Sequence, residues 1–340
     1  MEKSVLQNDR ITLADAPHIP GLSFRSFRGE SDYPKMVAVI KGSKDADQIE
    51  RVDEVEDVAR NYKHLINSNP YKDMLFAEID REVICYQRVL WREELDGTRI
   101  YQLFGFLLPE WRRKGIGRAM FHWAERRLVE IAATHPKGQP KELESECADT
   151  EIGREALIKS EGYRAVRHSY IMVRPDLENI PDLALPEGVE IRPVLPEHYQ
   201  KINDASKEAF QDDWGFCPDF EDTVEQWLED PNFDPTLWRV AWEGDEVAGM
   251  VLNYIDTRAN EAYGYKRGWT ENICVRRPWR KKGIARALIA DSLRAIKERG
   301  MLQAALGVDT ENVSGALRLY EGMGYQPIKR FSIYRKPLVI

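Results

Sequence analysis

The feature that most constrains this chain is that it repeats itself. Trp111 and Trp279, Gly115 and Gly283, and Arg118 and Arg286 are each 168 positions apart. Upstream, "GLSFRSF" from Gly21 returns as "GVEIRPV" from Gly188, 167 positions on. Downstream, "SEGYRAVRHSYIMVRP" parallels "GMGYQPIKRFSIYRKP", with Gly162 and Gly324 162 apart. A block of roughly 165 residues therefore occurs twice in the same order, far too long a period for a solenoid and close to an ordinary domain. Of the 340 residues 43% are hydrophobic, enough for each copy to bury its own core. The stretch "RPDLENIPDLALPEG", residues 174 to 188, shows neither helical nor strand period and reads as the seam. The expected domains are residues 1–178 and 179–340.

The second copy shows the element order most plainly. "VEIRPV" reads as a strand; "PEHYQKINDASKEAF" and "FEDTVEQWLED" read as helices. "LWRVAWEGDEVAGMVLNYID" reads as two strands turning at Glu243-Gly244-Asp245, and "WTENICV" as another strand. Apolar residues at 284, 288, 289, 293 and 296 give a helix ended by Gly300. A strand "LQAALGV", a helix "NVSGALRLYEGMG" and a last strand "RFSIYRKPL" complete the copy. The first copy follows the same order. The expected class is mixed α/β of the α+β type: two tandem domains, each a central mixed sheet flanked by helices.

Charge excludes some functions. A net charge of -8 and a pI near 5.5 make a poor nucleic-acid binder, since phosphate binding needs clustered Lys and Arg. No apolar run approaches a membrane span, and "MEKSVLQNDRITLADAP" carries no apolar leader core. Cys85, Cys147, Cys217 and Cys274 form no CxxC pair, so neither a disulfide framework nor a metal site is expected, and a cytoplasmic location fits.

Local basic clusters remain. "RPWRKKGIAR" follows the strand ending "NICV" and opens a helix; "EWRRKGIGRAM" repeats it at 110 to 120. A helix start offers unpaired N–H groups and partial positive charge. Gly283 and Ala285 let a ligand lie on the backbone, and Arg280, Lys281, Lys282 and Arg286 add charge. The turn suits a pyrophosphate and is neither a Walker loop nor a GxGxxG turn. Taken singly it equally describes a solvated basic helix start. The repeat favours the cradle.

Arg280 to Ala285, R-x-x-G-x-A, and Arg112 to Gly117, R-x-x-G-x-G, resemble the coenzyme A loop of the GNAT acyltransferase superfamily. "VDTENVSGALRLYEGMGY", with Asn312 and Tyr320, extends the resemblance, which spans nearly the whole chain twice. The tandem arrangement is similar to that of the mycothiol synthases. The resemblance implies acetyl-CoA as cosubstrate and an amine acceptor attacking it directly. Backbone groups at Ile273, Cys274 and Val275 would pair with the pantetheine arm. Arg280, Lys281, Lys282, Gly283, Ile284, Ala285 and Arg286 would hold the pyrophosphate, with Asn312 nearby. Arg112, Arg113, Lys114, Gly115, Ile116, Gly117 and Arg118 form the candidate second cradle.

The resemblance also implies an acid at Tyr320, whose phenol has an ordinary pKa near ~10. Glu271 is the candidate base; period-two counting sets it on one strand face with Val275. Alternatively Tyr320 packs as a core residue and Glu271 faces solvent. Cys274 has no nearby His and reads as a buried thiol. In "AFQDDWGFCPDFED", Asp212, Asp213 and Trp214 could receive an ammonium, or simply be solvated. The first copy has Leu103 for Glu271, Ile158 for Tyr320 and Ile152 for Asn312, so it is expected to be catalytically silent. Two other classes remain open on sequence alone: a non-catalytic acyl-CoA sensor, and an aminoacyl-tRNA-dependent transferase of tandem GNAT-like fold. The intact second-copy residues disfavour the first, the acidic charge the second.

Overall fold

The computed structural model describes residues 10–312 and 314–339. Residues 1–9 lie outside that range.

The first copy folds as β1 (Arg10–Ile11), β2 (Leu22–Arg25), α1 (Tyr33–Asp47), α2 (Val55–Lys63), α3 (Pro70–Asp73), β3 (Met74–Ile79), β4 (Glu82–Glu93), β5 (Arg99–Leu107), α4 (Ile116–Ala133), β6 (Lys141–Ala148), α5 (Ile152–Ser160) and β7 (Arg164–Arg174). The second follows with β8 (Val189–Arg192), α6 (Tyr199–Phe210), α7 (Val224–Glu229), β9 (Arg239–Glu243), β10 (Glu246–Tyr254), α8 (Thr257–Tyr263), β11 (Arg267–Val275), α9 (Ile284–Glu298), β12 (Gln303–Asp309), α10 (Ala316–Gly322) and β13 (Gln326–Pro337). The mixed α/β order matches the sequence reading apart from three details. Helix α8 has no counterpart in the reading. Helix α10 starts at Ala316 on a left-handed Gly315 rather than at Asn312. The seam lies elsewhere.

Two compact units emerge: Met1–Val166 with Ile333–Ile340, and Arg167–Ser332. The division falls inside β7 and β13, not in the Pro-bearing stretch at 174–188. That stretch is anchored, because Leu177 is buried and Ile180, Leu183 and Leu185 pack against the core around α9. The copies have also exchanged their last strands. Most of β7 pairs antiparallel with β12 of the second unit, from Ser169↔Asp309 to Arg174↔Ala304. The end of β13 lies with the first unit, beside β6.

In the first unit the sheet runs β1-β2-β3-β4-β5-β6 and then the end of β13. In the second it runs β8-β9-β10-β11-β12-β7. Among the described residues β5 pairs parallel with β6 in the first unit, and β11 pairs parallel with β12 in the second. The long helix after the cradle packs on β4, β5 and β6 in the first unit and on β9, β10 and β11 in the second. In α9 the predicted stripe of Ile284, Leu288, Ile289, Leu293 and Ile296 is fully buried. Each such side chain contributes about 1.5–3 kcal/mol, which fixes the helix start and therefore the turn before it. Gly300, at φ 79, ends the helix as expected.

Candidate active site

In the second unit β10 pairs with β11 through Gly249↔Val275 and Met250↔Cys274, then resumes at Leu252↔Glu271. Val251 thus faces two residues, Asn272 and Ile273. The extra residue is taken up by Asn272, which sits at φ 47, a left-handed conformation that Asn tolerates better than most residues. The bulge breaks the period-two count, so Glu271 and Val275 are not placed on one face by spacing. On its other side β11 pairs with β12 only at Arg267↔Gln303, Gly268↔Ala304 and Trp269↔Ala305. From Leu306 onward β12 pairs with β7. A slot opens between residues 271–275 and 306–309.

Glu271 reaches across this slot, where its Oε1 accepts the Gly307 N–H at 3.3 Å. Burial pushes its carboxyl up to about 7, against the pull of that N–H. Tyr320, on α10, is 6% exposed and stands edge-on to Tyr325 with ring centroids 6.3 Å apart. Burial, then the Glu271 charge, hold its phenol above its ordinary pKa, so it keeps its proton at neutral pH. Tyr325 is fixed in turn by a 2.9 Å hydrogen bond with Thr270. Cys274 is buried and its thiol is pushed up to about 12, a protonated core thiol rather than a nucleophile.

The basic turn has the backbone of an anion cradle. Lys281 and Gly283 are left-handed, at φ 63 and 86, and a Cβ at Gly283 would meet no protein atom within 4 Å. The first helical bond runs from Ala287 N–H to Gly283 O at 3.2 Å, so the N–H groups of Ile284, Ala285 and Arg286 precede the helical ladder. The side chains divide the work. Lys281, Lys282 and Arg286 are exposed, whereas Ile284 is buried in the core and offers only backbone. Arg280 is committed elsewhere. Its Nε donates to Val275 O at 2.9 Å, and its guanidinium binds Asp212 at 2.6 Å and Ala209 O at 2.9 Å. It clamps the end of β11 to α6.

The acidic stretch also splits up. Asp212 pairs with Arg277 and Arg280, which hold its carboxyl far below the usual range. Asp213 turns inward; burial raises its pKa and Asn312 Nδ2 donates to it at 3.4 Å. Its charge also acts on Tyr320 and Cys274, which places it beside the slot. Trp214 carries the Arg167 guanidinium 5.4 Å from its ring, so that face already holds a cation of the chain itself. Asn312 lies in the loop before α10, its Oδ1 accepting from Ser314 N–H at 2.8 Å.

The first unit repeats the cradle and not the interior. Arg113 and Gly115 are left-handed at φ 61 and 87. Arg112 copies the clamp, with Nε on Leu107 O at 3.0 Å and a forked pair to Asp47. Leu103 and Ile158, in place of the slot carboxylate and phenol, are buried. The ladder from Cys85↔Leu107 to Glu93↔Arg99 is unbroken, because Gln87 and Arg88 face Phe104 and Gly105 two against two. One more residue in β4 than in β10 removes the bulge. A cavity of about 770 Å³ remains, running from Arg112, Gly115 and Gly117 to Gln87, Ser145 and Arg154.

Four features of these sites were not read from sequence: the Asn272 bulge, the Gly307 N–H, the clamp by Asp212 and the reach of Arg154. The Asn inside the apolar run "NICV" was the available signal for the first.

Residues 199–325 match the acetyltransferase (GNAT) family model, entirely within the second unit. The mycothiol acetyltransferase of Geodermatophilus obscurus is 25% identical over 260 residues, 75% of this chain and 79% of that one. The Thermobispora bispora enzyme of the same name is 29% identical over 173 residues, 48% of this chain and 55% of its own. Among solved structures, a GCN5-related N-acetyltransferase from Sphaerobacter thermophilus aligns over 96% of this chain and 97% of its own, at 26% identity and a TM-score of 0.70. A tandem GNAT protein from the clavulanic acid biosynthesis pathway, 14% identical with a TM-score of 0.65 over 93% and 98% of the two chains, shares the fold. Among the described residues no helix is long and apolar enough to cross a membrane. With the duplicated fold and the slot, these matches identify a GNAT acetyltransferase domain at residues 199–325 and support a tandem-domain N-acetyltransferase that takes its acetyl group from acetyl-CoA.

Proposed function

We propose that the second unit alone carries out the transfer, with Glu271 as base and Tyr320 as acid, and that the acceptor is a small cationic amine. The observation that supports this most is the pairing of a carboxylate near pKa 7 with a protonated phenol across one slot. Acetyl-CoA lies with its pyrophosphate on the turn from Lys281 to Arg286 and its arm along Ile273–Val275. Arg280 shapes the turn, and Asn312 orients Asp213.

The acceptor arrives as an ammonium, drawn by Asp213, and loses one proton to Glu271. The free amine attacks the thioester carbonyl carbon and forms the new C–N bond. The oxyanion then collapses, the C–S bond breaks, the leaving thiolate takes the Tyr320 proton, and the nitrogen, still carrying one proton too many, gives it up to restore the Tyr320 phenol. The products are an amide and free coenzyme A. Both groups start in the needed state at neutral pH, since roughly half the Glu271 population is ionised near its pKa and Tyr320 is protonated.

The four cysteines are free and buried, which fits a reducing compartment, and we place the protein in the cytoplasm. The test is thiol release from acetyl-CoA across a panel of small amines, starting with mycothiol-related amines because of the relatives' name. Acceptor-dependent release by the wild type, lost in Tyr320→Phe, is expected. Release that depends on charged tRNA, or none with any amine, contradicts the reading.

A further inference from the structure

We propose that Arg154 closes the first unit's slot to coenzyme A, so that the chain binds one coenzyme A and not two; this rests on the second unit being the coenzyme A site. An exposed strand edge takes an extended ligand by lending it backbone groups, and a ligand carrying amides needs those groups free. Past Trp269 and Ala305, β11 offers such an edge.

In the first unit the corresponding edge of β5 is already occupied. Arg154 Nη1 donates to Gly105 O at 2.9 Å, and Ser145 Oγ donates to Leu103 O at 3.2 Å. Carbonyls two residues apart on a strand point the same way, so these two are consecutive acceptors on one edge. Counted back from the Gly162/Gly324 pair, Ser145 corresponds to Gly307 and Arg154 to Ala316. Neither Gly307 nor Ala316 has a side chain that could reach a carbonyl. The second unit therefore leaves open what the first one caps.

The cap is held by charge as well as by its hydrogen bond. Arg154 lies 3.9 Å from Glu151, and its charge acts on Glu146, whose carboxyl burial otherwise holds high. Size is not the obstacle, since the cavity measures about 770 Å³ and begins at an intact cradle. Its lining includes Gln87, 6% exposed, with an amide for which no partner is found among the described residues. The first slot has kept its entrance and exchanged an acyl-thioester channel for a capped one.

Calorimetry with coenzyme A on the full chain tests this through stoichiometry. The wild type should bind one equivalent, and Arg154→Ala should gain a second, which Gly117→Asp then removes. Ala285→Asp, with Arg154 in place, should bind none, and this arm does not depend on whether Arg154→Ala folds. Two equivalents in the wild type, or one in a folded Arg154→Ala, overturns the proposal. So does an equivalent retained by Ala285→Asp and removed by adding Gly117→Asp, because the first slot then admits coenzyme A past Arg154. An equivalent that survives both Asp substitutions places the ligand outside both cradles; it defeats the second-unit assignment, and this proposal falls with it.

Discussion

The two units begin at the same turn and end at different walls. Arg113 and Gly115 match Lys281 and Gly283 to within a few degrees of φ, and Arg112 and Arg280 make the same clamp to a strand carbonyl and an aspartate. Further in, one slot has a bulge, a carboxylate and a phenol, and the other has a regular ladder, a leucine and an isoleucine. A pyrophosphate cradle is cheap to keep, because it is mostly backbone conformation set by a packed helix start. An acid–base pair is lost by two substitutions, and a bulge by one inserted residue.

The harshest way to break the comparison is to place a carboxylate in each cradle. Ala285 and Gly117 occupy the second position of their helices, where an Asp is compatible with the helix and its charge opposes a phosphate. A Cβ at Gly117 meets only ordinary contacts at 3.6 and 3.8 Å. Valine at Gly283 or Gly115 would be a poorer probe, since both glycines are left-handed and a β-branched residue there strains the turn. Ala285→Asp should remove turnover, because like charges brought together cost several kcal/mol, about 10³-fold or more. Gly117→Asp should leave most of it. Equal losses in steady-state assays would mean that both units work.

Next in size is the phenol. Tyr320→Phe keeps the ring against Tyr325 and removes the proton. Turnover should fall about 10²–10⁴-fold, with coenzyme A affinity by calorimetry nearly unchanged. A turnover number close to wild type would leave Tyr320 as a packing residue of the core.

The repeat, the cradles and the loss of Glu271 and Tyr320 in the first copy were all legible because they are differences between aligned residues. The residue that opens the slot was not. Counting by twos along "TENICV" assumes an unbroken ladder, and Asn272 in its left-handed conformation breaks it. The strand exchange was equally hidden: each last strand follows its own copy in sequence, and only the pairing of Met172 with Leu306 reveals that it completes the other. Asp212 looked like an acceptor group because its partners, Arg277 and Arg280, are 65 and 68 residues away. Local pattern specifies elements well and long-range pairing poorly.

A smaller effect sharpens the account of Glu271. Its pKa is 4.5 as a free side chain and about 7 in the fold, so the folded state prefers the protonated form. Ionisation then costs stability as pH rises from the first value to the second, about 1–3 kcal/mol once complete. Glu271→Gln removes that cost. Its melting temperature should exceed the wild type's by a few degrees at pH 8 and match it at pH 4. Equal melting temperatures at both would mean that the carboxylate is well solvated in the slot.

In the proposed reading the acid–base pair separates a working unit from a silent one, and the pH dependence of turnover tests it most directly. With saturating acetyl-CoA and acceptor, wild-type kcat should rise through pH about 7 as Glu271 ionises and then level off. Glu271→Gln should turn over more slowly, with that limb absent. The same limb at the same pH in Glu271→Gln would assign the proton transfer to another group and contradict the account.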